Sequence, residues 1–244
     1  MALTVGQVTT AANGTGTTLT TSAIATTGGS GVLIGLHWYN AGGVTFTSLT
    51  SSTSESVTQV GTELLSSNFA TSRLYYLPNT AGNANHTFTL TCSVSTYKNL
   101  YVVEVDTTNG AGVLLDQQAR QNDDATPFVS PNITTTIANE ILYGMSVSES
   151  NSNPVTHTAG NSFVKQGEVT DGTTLIPGAH ATRIVTATGT YQTSWTMTGS
   201  IFGTSQWIAS FSEAAAGGDP EGSLLGGKLL RGGLLRHGVL VGSG

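Results

Sequence analysis

The sequence predicts an all-β protein: a jelly-roll-like antiparallel β-sandwich built from two repeated halves, followed by a Gly/Leu-rich C-terminal assembly tail. Three observations carry this. Short apolar runs bounded by turn residues recur about every ten residues, and no stretch sustains a 3.6-residue period. Charged residues are only 9% of the 244 positions against 38% hydrophobic ones, and the polar remainder is mostly Thr, Ser, Asn and Gly. Thr is β-branched and suits the exposed face of a strand. Finally, one order of short blocks occurs twice.

In chain order, residues 1–29 alternate Leu and Val with Thr, and Asn13-Gly14 reads as a turn. GVLIGLHWY at Gly31–Tyr39 follows, too short for a helix and apolar enough for a buried strand. Its counterpart is EILYGMSVS at Glu140–Ser148, with Gly144 matched to Gly35 (144 − 35 = 109). SVTQVG at Ser56–Gly61 returns as SFVKQG at Ser162–Gly167, and Arg73-Leu74-Tyr75 as Arg183-Ile184-Val185. His86–Leu90 returns as Thr193–Met197, and Tyr101-Val102-Val103 as Trp207-Ile208-Ala209. The body is therefore read as residues 1–213, with halves at about 15–106 and 130–213 joined by a link at 107–129. One interior shared by both halves is expected, because a common core buries more surface per residue than two thin ones.

Past Glu213 the texture changes. Residues 214–222 read as a linker, and 223–244 fall into the pentads Leu224–Lys228, Leu229–Gly233, Leu234–Gly238 and Val239–Ser243, three of which open on Leu-Leu and all of which carry Gly. Gly at this frequency prevents a stable helix, and a repeat that cannot bury its own leucines needs neighbours. Leu224, Leu225, Leu229, Leu230, Arg231, Leu234, Leu235, Arg236, Val239 and Leu240 are expected to drive self-assembly into a homo-oligomer, a trimer foremost.

Chemistry is harder to find. The net charge of −6, without a basic stripe in the body, argues against nucleic acid as a partner. The chain shows no basic-apolar leader at its N-terminus and no uninterrupted span for a bilayer, so no membrane partner is expected. Cys92 stands alone in the alternating run HTFTLTCSV and reads as a small buried hydrophobe. The five His show no zinc spacing; His37 should lie on the face of its strand opposite Trp38. Asp106, Asp116, Asp123 and Asp124 cluster near the link as a weak Ca²⁺ possibility, without an EF-hand loop, and no cofactor is expected. Glu55, Glu63, Glu104, Glu140, Glu149 and Glu168 offer no recognisable acid pair, and no G-x-S-x-G elbow occurs. No catalytic role is expected. Trp38, Tyr39, Tyr75 and Tyr76 are the candidate ligand surface, since sugars stack on exposed rings and Tyr75-Tyr76 puts one ring on each face of a strand.

The blocks GVLIGLHWY, VTQVG, SRLYYLPN, HTFTLTCS and YVVEVD, and above all TTTIANEILYGMSVS at Thr134–Ser148, resemble a Thr/Gly-rich β-sandwich domain of tailed-bacteriophage virion proteins and bacterial surface proteins. The pentads are similar to C-terminal ends of phage structural proteins. The resemblance implies a non-enzymatic virion component (decoration, head or collar fibre, or tail spike), in contact with other virion proteins and found outside the cell after host lysis. The second expectation is a carbohydrate-binding module for host surface glycans.

Overall fold

The computed structural model describes residues 3–13, 16–66, 69–150, 154–170, 175–199 and 201–216. The chain divides into two compact units, Met1–Ala214 and Ala215–Gly244. Of the second, only Ala215 and Ala216 are among those residues, so the predicted assembly positions from Leu224 to Leu240 lie outside the described residues.

The first unit is all-β. Its first half comprises β1 (Thr4–Asn13), β2 (Thr18–Thr20), β3 (Ile24–Thr26), β4 (Gly31–Tyr39), β5 (Phe46–Ser51), β6 (Thr58–Leu65), β7 (Ala70–Leu77), β8 (Asn83–His86), β9 (Phe88–Cys92) and β10 (Lys98–Asp106). The second half comprises β11 (Val113–Asn122), β12 (Phe128–Val129), β13 (Ile133–Thr134), β14 (Glu140–Ser148), β15 (Thr156–Ala159), β16 (Val164–Val169), β17 (Gly178–Val185), β18 (Thr190–Tyr191), β19 (Ser194–Thr198) and β20 (Thr204–Glu213).

Both halves are wired alike. The large sheets run β1-β10-β4-β7-β6 and β11-β20-β14-β17-β16, and the small ones β2-β9-β5 with β3-β8, and β12-β19-β15 with β13-β18. If the interrupted pairs β2/β3 and β8/β9 each count as one strand, a half orders its strands 1-8-3-6-5 and 2-7-4. That is jelly-roll wiring, with the fifth strand paired onto the large sheet.

Three apolar interiors result. One lies between the sheets of the first half (Ile34, Leu36, Trp38, Phe88, Leu90) and one between those of the second (Leu142, Phe163, Trp195, Ile208). The third joins the halves, with Leu33, Leu74 and Val103 against Ile141, Met145, Trp207 and Phe211. The expectation of a single shared interior is thus corrected: a shared core exists, but each half also closes its own. The large sheets sit in the middle of the stack, so β4 and β14 are buried on both faces. This is why GVLIGLHWY and EILYGMSVS read as continuous apolar runs and not as alternating ones.

Two sequence matches shift. The repeat is longer than its visible blocks, because β1 and the link strand β11 hold equivalent places at the outer edge of their large sheets. The pairing of Gly35 with Gly144 is one residue out of register. A Cβ at Gly35 would point into the shared interior, 2.5 Å from the Tyr143 hydroxyl, whereas Gly144 faces Thr193 and Phe163 in the second half's own core. A one-residue slip exchanges the faces of a strand, so the two glycines are not equivalent.

Candidate functional site

Strand alternation sends the odd-numbered side chains of β4 and β14 into the shared interior, and several of those that meet there are polar. His37, Asn99 and Tyr101 come from the first half, Tyr143 and His180 from the second, and all five are fully buried. Ring centroids lie 5.5 Å apart for His37–Tyr101, 5.0 Å for Tyr101–His180 and 5.8 Å for Tyr143–His180. The Ile176 carbonyl accepts from His37 Nε2 and from Asn99 Nδ2, each at 2.8 Å. Among the described residues His37 Nδ1, Asn99 Oδ1, the Tyr101 phenol oxygen and both nitrogens of His180 have no protein partner, and the Tyr143 hydroxyl lies against the backbone of Gly35. Glycines make the room: a Cβ at Gly178 would stand 2.6 Å from His37 Cε1 and 2.8 Å from the Tyr101 hydroxyl, and one at Gly167 2.6 Å from His180 Nε2. Burial pushes His37 and His180 down to about 3 and raises both tyrosines, so this layer is neutral. Its chemistry is that of a polar joint, closed on all sides.

A second cluster has the connectivity of a hydrolytic triad. Ser148 Oγ is 3.3 Å from His157 Nε2, and His157 Nδ1 is 3.1 Å from Glu168 Oε1. Lys165 Nζ donates to Glu168 Oε2 at 2.6 Å and to the His157 carbonyl at 2.9 Å. Burial works to raise Glu168, but hydrogen bonds from His157 and Lys165 prevail and hold it down to about 2. His157 is lowered by burial, which outweighs the Glu168 carboxylate. A nucleophile also needs access and oxyanion donors. Ser148 and His157 are wholly buried, and Ser148 Oγ has a second partner in the Pro177 carbonyl at 3.3 Å. The Ser148 and Glu149 N–H groups, the nearest oxyanion donors, are spent on the Pro177 and Gly203 carbonyls at 2.9 and 3.0 Å. The arrangement ties β14, β15 and β16 together at one end of the second sandwich. Sequence reading missed it because its members come from two non-adjacent strands of the large sheet and one strand of the small sheet, which meet only when the sheets pack.

Glu140 is the third notable group. It is fully buried at the start of β14, and burial, with the Asp116 carboxylate beside it, pushes it up to about 7. Partial burial acts to raise Asp116, but the Thr136 N–H and hydroxyl, donating at 2.7 and 2.6 Å, hold it low. Between pH 4.5 and 7 the unfolded chain ionises Glu140 while the folded chain keeps its proton, so stability falls as pH rises through that window. Glu140→Gln is expected to stabilise the protein at pH 8 by on the order of 2 kcal/mol, and to have almost no effect near pH 4.5. Urea unfolding at the two pH values checks this.

The remaining acids have separate partners. Glu63 pairs with Arg73 at 2.7 Å. Glu104 accepts from Thr27 N at 2.6 Å and Gln7 N at 3.1 Å, and Glu55 from Ala81 N at 2.6 Å. Glu149, from the second half, crosses to the first and accepts from Phe69 N and Ala70 N at 2.7 and 2.6 Å and from the Ser66 hydroxyl. Asp123 and Asp124 accept from Val129 N and Thr204 N, and Asp106 from Ser30 Oγ. Among the described residues no group of three or more His, Cys, Asp or Glu is placed to hold a metal ion.

The aromatic ligand surface is corrected. Trp38 is 1% exposed with its Nε1 donating to the Val44 carbonyl at 3.1 Å, and Tyr75 packs in the same interior, stacked on Phe46. Tyr76 points the other way, into the shared interior against Phe211. Tyr39 is half-buried between Phe69 and Tyr97. With a second sandwich stacked behind the first, both faces of β4 and β7 are interior, and no ring platform is presented there. Cys92 is buried as expected, with burial raising its thiol.

No protein family, curated protein or solved structure matches this chain.

Proposed function

We propose that this protein is a non-enzymatic structural component, of the kind tailed-phage virions carry, in which a rigid double jelly roll is held in a homo-oligomer by its C-terminal tail. The pentads carry this reading. Their doubled leucines recur every five residues, with glycines that let backbones approach closely, and a short repeat of this kind needs neighbouring copies to cover its apolar side chains. The body suits such a role: each of its interiors is sealed between two sheets, and its buried polar clusters lock strands to one another. A trimer, in contact with other virion proteins and exposed after host lysis, is the assembly we favour.

Sedimentation of the full 25.0 kDa chain against a chain ending at Ala215 tests this. The full chain is expected to sediment as a discrete multiple and the truncated one as a folded monomer. Equal assembly states for the two would remove the tail from the mechanism.

A further inference from the structure

The duplication supplies an internal comparison for its two matched arginines. Both project from the face of a large sheet that is turned toward the small sheets of the same half, onto an aromatic ring there: Arg73 is 4.2 Å from the Phe46 ring centre, and Arg183 5.1 Å from that of Tyr191. Arg73 is neutralised, since its Nε and Nη2 donate to Glu63 Oε2 at 2.9 and 2.7 Å and its Nη1 to the Tyr75 hydroxyl at 3.1 Å. In the second half β16 sets Val164 against Thr182, beside Arg183, while its one carboxylate, Glu168, lies further along against Ala179 and is bound by His157 and Lys165. Arg183 accordingly has no ion pair among the described residues; its Nη1 donates to the Asn161 carbonyl at 2.8 Å.

The guanidinium opens onto a cleft of about 370 Å³ lined by Asn132, Asn161, Arg183, Thr190, Tyr191 and Gln192, together with Ser162 and without any carboxylate. Its walls are held in place. Asn161 Nδ2 donates to the Gln192 carbonyl at 3.2 Å, Gln192 Nε2 to the Ser130 carbonyl at 3.3 Å, and the Tyr191 hydroxyl to the Ala187 carbonyl at 2.8 Å. Asn161 and Ser162, with φ of 52° and 62°, are the central pair of a tight turn of the I′ kind closed by Phe163 N–H donating to the Gly160 carbonyl at 3.1 Å, which fixes this part of the rim. The exposed Asn132 side chain has no hydrogen-bond partner among the described residues. Planar amides carry a donor and an acceptor side by side, which matches vicinal hydroxyls that both give and take hydrogen bonds. A guanidinium without a counter-charge matches a carboxylate through two parallel N–H···O bonds.

We propose that this cleft binds an acidic saccharide, its carboxylate on Arg183 and its ring hydroxyls on Asn132, Asn161 and Gln192. The site goes beyond the assembly role and does not depend on the tail. It also replaces the buried rings of the first half as the place where a glycan is met. The body's net negative charge does not forbid it, since at physiological salt charges more than about 8 Å away are largely screened.

Saturation-transfer NMR and calorimetry on the full chain test this, with glucuronate and N-acetylneuraminate as probes and glucose as the neutral control. The wild type is expected to bind at least one acidic probe in the millimolar range and glucose at least about tenfold more weakly, as the bidentate contact is lost. Arg183→Gln is expected to weaken the acidic probe at least about tenfold, Asn132→Ala severalfold, and Arg73→Gln not at all. Arg183 and Asn132 lie at the surface, so unchanged melting temperatures separate lost binding from lost folding. Absence of binding by the wild type, equal binding of glucose, or an Arg183→Gln protein that binds like the wild type would each overturn the proposal.

Discussion

Acidification from pH 7 to pH 4.5 is expected to remove on the order of 5 kcal/mol of stability through His37 and His180 alone, a large part of what a folded domain has. Both rings are fully buried and held near a pKa of 3, while in the unfolded chain they titrate at their ordinary value of 6.5. Between these values the unfolded chain binds two protons that the folded chain refuses. Stability is therefore complete above pH 6.5 and declines as pH falls toward 3, each site costing about 1.4 kcal/mol per pH unit. The facing groups do not offset this. Asn99, Tyr101 and Tyr143 are neutral, His157 is itself lowered by burial, and Glu168 is committed to His157 and Lys165. Glu140 works in the opposite sense, gaining stability as pH falls, and reduces the total without reversing it. His180→Leu separates the contributions. Since neither ring nitrogen has a partner, the replacement breaks no hydrogen bond. It is expected to move the acid unfolding midpoint down by several tenths of a pH unit or more while leaving the pH 7.5 stability close to the wild type. An unchanged midpoint would mean that His180 is solvated or paired in solution.

Truncation of Trp207 to Ala is expected to lower stability by about 3–5 kcal/mol, roughly 10 °C in melting temperature for a body of this size. The indole is wholly buried in the shared interior, its Nε1 donates to Ser72 Oγ of the other half at 2.9 Å, and the Arg120 guanidinium lies 5.2 Å from its ring centre. Removing it leaves a cavity between the two large sheets, takes from Ser72 Oγ the donor it accepts from while leaving its own bond to the Leu64 carbonyl, and takes the ring from beneath Arg120. Trp207→Phe keeps most of the volume and is expected to cost less than half as much. Calorimetry checks both, and also reads the joint: a variant that melts in two steps would show that the halves fold separately once the shared core is weakened.

Much of the architecture was legible in the chain. The recurring apolar runs, the Thr-rich polar positions and the near-constant offset between blocks lead to an all-β body in two like halves, because strand burial writes a period into the sequence. The anchor strands were visible for the same reason, being apolar on both faces. The site was not legible. Ser148, His157 and Glu168 lie on three different strands of the second half, and Arg183 is brought to Tyr191 and Asn132 by a sandwich whose register no local signal specifies. The likeness of Gly35 to Gly144 even points to the wrong register, since matching small residues by letter ignores which face each one lines.

By itself the sequence determined fold class, duplication and the change of material after Glu213, since composition and periodicity follow directly from which positions must be dry. Only the tertiary structure decided that each half closes its own jelly roll, that the large sheets stack into a third interior, and that Trp38, Tyr75 and Tyr76 are thereby enclosed. Among the described residues the same packing leaves Arg183 without an acid such as the Glu63 that Arg73 has. The physical reason is that a strand's residues specify that a face is buried, but not what buries it; the partner surface is chosen by contacts between segments about a hundred residues apart, and those are fixed only when the sheets meet.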